Sequence, residues 1–386
     1  MIFWNIERIV NLSAEGWFKI SLVKTYEVDA MYDVLIIGAG PAGSSLARLI
    51  GDKYKVLLID KRDLANENPH NLAGKCCGGL LAPDAQKMIA KLGLGIPKDI
   101  LVNPQLFAVR TIDLTNNLER LYQRFYLNMD REKFDRWLVS ILPKKVDKKF
   151  NSVFKGFVEI PGGYEIRYIH NGQEISAKTK AIIGADGAFS KLRRFLNQDI
   201  NSPEKYIAIQ EWYECPHHVP YFTAIFDEEI SDFYSWIIPK ENYLLLGSAL
   251  KPKEKAREKY ELLKTKLTQR GFNFDNKIRT EGAYLYRPKK VSQFYAGRDS
   301  IALVGEAAGG ISPSSAEGIS YALKSSAYLA QSLEEGIDGF LDRYKLKVKG
   351  IKLNLLLKNL KSPAMYNPLL RQLAMKSGLQ SIDRAE

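Results

Sequence analysis

The sequence of 386 residues predicts a mixed α/β fold: a parallel sheet flanked by helices, an inserted mixed or antiparallel sheet, and a helical C-terminal region. Three observations carry that expectation. Residues 33–60 read as strand, glycine turn, helix and second strand. Residues 106–127 and 203–282 switch to short alternating strands. Two further apolar runs, around Ile182 and Ile301, end in small residues, as strands returning to a buried parallel sheet do.

The first stretch organises the rest. Val34, Leu35, Ile36 and Ile37 form a run suited to a strand buried on both faces. It leads into Gly38-Ala39-Gly40-Pro41-Ala42-Gly43, a G-x-G-x-x-G, and then a helical run. Gly38 permits the tight turn, Gly40 lets backbone approach a pyrophosphate, and Gly43 lets helix and strand pack closely. Phosphates would then sit at the helix N-terminus, where N–H groups and the dipole favour an anion. The second strand ends in Asp60, followed by Lys61, about 20 residues on, where a carboxylate can accept ribose hydroxyls. In this setting the motif predicts a Rossmann-type unit for an ADP-containing dinucleotide.

Composition sets outer limits. Hydrophobic residues at 46% and charged residues at 26% are ordinary for a globular chain. The length allows two domains. A formal charge of +12 suits an anionic partner or reflects a lysine-rich background. Three cysteines make neither a disulfide framework nor a four-cysteine iron–sulfur site, and suggest a reducing compartment. No run approaches the ~20 apolar residues of a membrane span.

Residues 1–30 are expected to lie outside the fold, as an overlong start, a disordered arm or a lipid-contacting segment, the first being favoured; Met31 would begin the domain. Beyond Asp60, residues 75–83 carry Cys77, Gly78 and Gly79, either backbone able to lie flat on a planar ring or a plain glycine turn. A hairpin over 106–127 opens the second domain. Asp130 caps a helix whose first residue, Arg131, reaches cofactor phosphates or is simply a surface arginine. Asp186 and Gly187 end the next buried strand. Tyr234 and Trp236 share one face of a later strand, as core or as an aromatic wall over a cavity. Gly305 and Glu306 follow another buried strand. Gly318 and Ile319 open a helix whose N-terminus can face an anion or a flavin carbonyl. His217 and His218 lack companions for a metal, and no metal site is expected.

The whole set resembles the cofactor signatures of FAD-dependent oxidoreductases with the p-hydroxybenzoate-hydroxylase fold. The glycine turn at 38–43, Asp186-Gly187 and the GEAAG turn at 305–309 carry that likeness. Within the group the chain is most similar to the geranylgeranyl reductase family. Residues 75–83 resemble its K-P-C-G-G-G-L-S-P, and residues 234–240 its Y-x-W-x-F-P-K. Four positions depart: Glu306 replaces Asp, Ala316 the first glycine of G-E-G-I, Ile238 a phenylalanine, and Leu80 a glycine.

The resemblance implies FAD held by Gly38, Gly40, Pro41, Ala42, Gly43, Asp60, Lys61, Cys77, Gly78, Gly79, Arg131, Asp186, Gly187, Gly305, Glu306, Gly318 and Ile319. It implies a prenyl pocket at Tyr234, Trp236, Ile238, Pro239 and Lys240, with Cys77, Tyr234 and Trp236 nearest the chemistry. The expected activity is reduction of C=C bonds in a prenyl chain of an apolar isoprenoid substrate. NAD(P)H or a reduced ferredoxin would supply electrons; the basic surface suits an acidic donor protein. No nucleic-acid partner is expected, and the location expected is cytoplasmic or peripheral on the inner membrane face. The basic, leucine-rich segment 343–361 is read either as a helix resting on an anionic membrane or as one packed on the FAD domain. Two other readings share the fold. One is a monooxygenase or halogenase, since residues 234–239 also resemble W-x-W-x-I-P; the other is a non-catalytic prenyl carrier akin to Rab escort proteins.

The expected domain limits are an FAD-binding domain of 31–103, 127–202 and 283–335, a substrate domain of 104–126 and 203–282, and a C-terminal region of 336–386.

Overall fold

The computed structural model describes residues 8–12, 18–22, 26–65, 76–196, 202–215 and 219–382. Lys75, His217 and His218 lie outside them. Five parallel strands make the heart of the first sheet, in the order Asp147–Lys149, Val56–Ile59, Tyr26–Ile37, Gln173–Gly184 and Ile301–Leu303. All four residues of Val56–Ile59 are buried, as the unbroken apolar run requires. The strands Ser152–Ile160 and Gly163–His170 extend this sheet as an antiparallel meander. Its turn at Asn171-Gly172 has positive φ at both residues, 48° and 83°. That is the hairpin geometry Asn-Gly favours.

The central strand begins earlier than expected. Residues 26–28 pair with 175–177, so the fold reaches back to Tyr26 rather than starting at Met31. A separate antiparallel pair, Arg8–Leu12 with Phe18–Leu22, precedes it.

The second sheet runs Lys277–Arg287, Glu204–Glu214, Tyr243–Leu250, Ser235–Lys240, Phe222–Phe226, Leu106–Asp113, Leu118–Asn128 and Ser381–Ile382. Neighbours are antiparallel except Phe222–Phe226 and Leu106–Asp113, where the chain re-enters the sheet beside its first visit. This sheet extends past 282 to Arg287, and Ser381–Ile382 pairs with Tyr122 and Leu121, so the C-terminal helices end on it. Tyr260, Leu263 and Leu267 of the helix Ala256–Thr268 bury the opposite face.

Three turns meet at the carboxyl ends of three adjacent parallel strands. Ala185 N donates to Ile37 O at 2.8 Å and Val304 N to Gly184 O at 2.9 Å. That edge, where loops leave a parallel sheet, is where dinucleotides bind.

Candidate active site

The helix Pro41–Ile50 starts directly at the glycine turn, with Gly40 as N-cap and Pro41 pre-set for the first position. Gly38 has φ of 104°, and a Cβ there would lie 2.5 Å from Ala185 O. A Cβ on Gly43 would lie 1.8 Å from Gly38 O. Gly40 instead faces open space and lines a cavity. The three glycines therefore act differently. Two let backbone pack on backbone, and one keeps a surface clear.

The cavity has a volume of about 1070 Å³. That is the upper end of the range for a small-molecule site. It runs from the three turns to the aromatic face of the second sheet. Of the residues singled out from sequence, Gly40, Pro41, Ala42, Cys77, Gly78, Gly79, Arg131, Gly187, Glu306, Gly318, Ile319, Tyr234, Trp236 and Ile238 line it. Gly38, Gly43, Asp60, Asp186 and Gly305 sit behind that lining. Lys61 is exposed and is not on the wall.

Asp60 ends its strand as expected, but its oxygens already accept Ala39 N–H at 2.7 Å and the N–H groups of Arg62. Arg62 also reaches Asp135 at 2.8 Å, Asp135 accepts Arg131 Nε at 2.8 Å, and Arg131 Nη1 lies 3.4 Å from Cys77 Sγ. A chain of alternating charge thus links the strand end to Cys77. Burial works against the Arg131 charge, but Asp135 beside it prevails and holds the guanidinium above its ordinary pKa. Arg131 is accordingly a buried, braced cation on the cavity wall rather than a loose surface arginine. Arg62 and Asp135 were not singled out from sequence. The four-residue spacing of Arg131 and Asp135 on one helix was a usable signal; Arg62 had none.

Asp186 Oδ2 accepts Lys191 N–H at 2.8 Å, capping the helix Lys191–Leu196. Its Oδ1 is buried with no hydrogen-bond partner among the described residues, and burial raises its pKa. Glu306 takes a long bond of 3.4 Å from Tyr286 N–H and lines the cavity. Glu317 caps the helix Ile319–Leu333 through Ser320 N–H at 2.8 Å. Ala316 holds φ of 50°. Glycine adopts that left-handed conformation freely and alanine does not.

Gly78 and Gly79 lie close against the second sheet, where a side chain would be crowded. A Cβ on Gly78 would meet Ile238 Cδ1 at 2.6 Å, and one on Gly79 would meet Met129 O at 2.3 Å. Lys240 is buried and donates to Gly79 O at 3.1 Å and Met129 O at 2.8 Å. Pro239 and Lys240, expected in the pocket, do not line it. Pro239 O accepts Asn128 Nδ2 at 2.8 Å, and the Lys240 amine is drawn to the two carbonyls behind the lining.

Burial lowers the Lys240 pKa to about 7, so the unfolded chain holds one more proton from there to about 10.4. The penalty for this lysine is therefore full below pH 7 and falls as pH rises through that window, by up to about 1.4 kcal/mol per pH unit. Urea unfolding from about pH 7 to about pH 9 is expected to show wild type gaining stability relative to Lys240→Met. A flat difference would refute a desolvated amine.

The aromatic end is ordered by a polar thread. Trp236 Nε1 donates to Gln210 Oε1 at 3.1 Å, and Gln210 Nε2 lies 3.0 Å from Cys76 Sγ. Tyr234 packs on Trp236 with ring centroids 5.4 Å apart and donates its hydroxyl to Ser315 O at 2.8 Å. Across the pair of strands, a Cβ on Gly247 would lie 2.2 Å from Trp236 Nε1, so only glycine leaves room for the indole. Gln210 and Gly247 carried no sequence signal, because their importance lies in which strand stands opposite.

No family model matches the chain. Protein CbrA of Escherichia coli is 38% identical over 353 residues, covering 91% of this chain and 94% of that protein. Protein CbrA of Shigella sonnei is likewise 38% identical over 353 residues, with 91% and 98% covered. The chain belongs to the CbrA family.

Solved structures agree on the architecture. A geranylgeranyl bacteriochlorophyll reductase-like protein of Thermoplasma acidophilum matches with a TM-score of 0.74 at 22% identity, covering 89% of this chain and 90% of that one. PqsL of Pseudomonas aeruginosa, a probable FAD-dependent monooxygenase, matches at 0.66 and 16%, covering 91% and 100%. The flavin-dependent brominase Bmp2 matches at 0.64 and 19%, covering 90% and 93%. The CbrA-family chain thus has the fold of these flavoproteins, as the sequence motifs predict.

The site of this CbrA-family chain fits a flavin–adenine dinucleotide on its own geometry. Gly40 leaves the pyrophosphate position clear, Asp186 Oδ1 is an acceptor awaiting a donor, and the Cys77–Gly79 backbone offers a flat wall. Among the described residues, no three His, Cys, Asp or Glu side chains gather to hold a metal. Nor, among them, is any helix long and apolar enough to cross a membrane.

Proposed function

We propose that this CbrA-family protein is an FAD-dependent oxidoreductase that saturates C=C bonds in the prenyl chain of a lipid or isoprenoid. One observation carries the reading: a single cavity joins the dinucleotide cradle to an apolar chamber, and the Cys77–Gly79 segment stands at the junction. Reduced flavin, when bound, supplies a hydride.

The chain's own residues do the rest. Gly40 and the helix start at Pro41 receive the pyrophosphate. Tyr234, Trp236, Phe222, Phe226 and Ile238 give the chamber the apolar, water-excluding wall that a prenyl chain needs. Gln210 fixes the rotation of the indole, and Lys240 keeps Gly79 seated from behind. Cys77, held beside Arg131, is the ionisable group at the junction where a proton would have to be handled. Electrons come from NAD(P)H or from an acidic donor protein such as a reduced ferredoxin, for which the formal charge of +12 is favourable.

The deciding experiment is anaerobic incubation of the purified, dithionite-reduced protein with a geranylgeranyl lipid, followed by mass spectrometry. A gain of two hydrogens for each double bond reduced is the expected result. Oxygen incorporation in an aerobic NADPH control, without hydrogenation, would place the protein with the monooxygenases. A colourless protein that binds the lipid unchanged would make it a carrier.

A further inference from the structure

The C-terminal helices show their apolar side to the outside. In the helix Lys349–Tyr366, Ile351, Leu355 and Ser362 face the protein, while Leu353, Leu356, Leu357 and Leu360 form a stripe at helical spacing on the opposite side. Leu360 is 69% exposed. The following helix, Pro368–Lys376, repeats the pattern: Arg371 and Met375 are buried, and Leu369 and Leu373 point outward, Leu373 at 65% exposure. Leu346 and Leu379 add to the same region of chain. A water-facing helix would carry polar residues here, so this face is built to be covered.

Charge says by what. From Arg343 to Ile382 the chain has nine Lys or Arg and no Asp or Glu. Lys347, Lys349 and Lys361 are exposed beside the leucines. The nearby carboxylates are engaged by lysines of this segment: Asp342 lies 3.2 Å from Lys345, and Asp84 3.5 Å from Lys358. A second copy of the chain is a poor partner, because a two-fold contact sets the same surface against itself and so cation against cation. An anionic lipid surface satisfies both demands, taking up the leucines and attracting the lysines.

We infer that the outer face of the helices Lys349–Tyr366 and Pro368–Lys376 docks on an anionic bilayer. The same helix places Lys358, Lys361, Ala364 and Met365 on the cavity wall. Phe125, half-exposed, also lines the cavity and so marks its opening, as do the exposed Lys361 and Ala374. Docking would therefore set the cavity mouth at the lipid interface, where a prenyl chain could pass from bilayer to chamber without crossing water. Docking itself does not depend on the reaction performed, so vesicle binding stands or falls separately from hydrogenation.

Flotation with phosphatidylcholine–phosphatidylglycerol vesicles should retain the wild-type protein, with binding falling as salt rises and much weaker on phosphatidylcholine alone. Leu357→Glu with Leu360→Glu should reduce binding by at least about tenfold while flavin content and melting temperature stay as in wild type, since both side chains are exposed. Lys347→Glu with Lys349→Glu should weaken binding to anionic vesicles and make the binding that remains less dependent on salt. Failure of wild type to float, or equal flotation of the leucine variant, overturns the inference. So does sedimentation showing a lipid-free dimer that the leucine substitutions split, which would make the face a contact between copies.

Discussion

Gly43→Ala is expected to lose at least about 3 kcal/mol of stability, whereas Gly40→Val is expected to fold normally and emerge without its cofactor. The added methyl at 43 would lie 1.8 Å from Gly38 O and 3.2 Å from Ala185 Cβ. Neither neighbour can retreat. Gly38 N–H is bonded to Ile59 O at 2.8 Å and Ala185 N–H to Ile37 O at 2.8 Å, so relief would break the ends of the parallel strands. Gly40 has an extended backbone, with φ of −75°, that any residue adopts, and nothing lies within 4 Å of an added Cβ. A valine there would occupy the clear surface that the pyrophosphate needs. Thermal melting should keep Gly40→Val within about 3 °C of wild type stripped of flavin, and flavin absorbance should show affinity reduced by at least about 100-fold. A Gly40→Val protein as yellow as wild type would move the cofactor away from this turn.

Asp113→Asn is expected to cost about 3 kcal/mol and to loosen the C-terminal helices from the second sheet. Arg371 is buried and forms a two-pronged pair with Asp113, at 2.7 Å and 3.0 Å, across 258 positions of sequence. Burial pushes the Asp113 carboxyl up, but hydrogen bonds from Arg371 and Asn116 prevail and hold its pKa below the ordinary value. Removing the negative charge leaves a buried guanidinium without a counter-ion, facing one amide oxygen where two carboxylate oxygens stood, besides Met365 O at 2.9 Å. The substitution Arg371→Met combined with Asp113→Leu removes both charges and should recover most of the loss, because an apolar pair of similar size avoids desolvating ions. Urea unfolding of the two singles and the double gives the coupling directly. Limited proteolysis should cut Asp113→Asn faster within residues 349–376. Equal losses for the single and double changes would mean that packing, not charge, holds these helices.

The cradle was readable because its physics is local. A positive φ at Gly38, a clear surface at Gly40 and an apolar run before each turn are written in a few adjacent residues. The cap at Asp130 falls where expected for the same reason. Alternation placed Tyr234 and Trp236 on one face, the resemblance added Ile238, and all three line the cavity. The resemblance misjudged Lys240, because a long flexible side chain goes where its amine finds acceptors, and Gly79 O and Met129 O lie behind the lining.

What the sequence by itself determined is therefore the kind of fold, the three small-residue turns at the strand ends and the aromatic wall. Each depends on backbone freedom or side-chain period within a short stretch. Only the tertiary structure decided the rest. It joined Asp60, Arg62, Asp135, Arg131 and Cys77 into one charged thread, and set Gly247 against Trp236. It brought Arg371 to Asp113, and turned the leucines of the Lys349–Tyr366 helix outward, where amphipathic spacing alone allowed either face to be buried. These relations link residues tens to hundreds of positions apart, and a contact between two strands or helices is set by what packs beside them rather than by their own sequence.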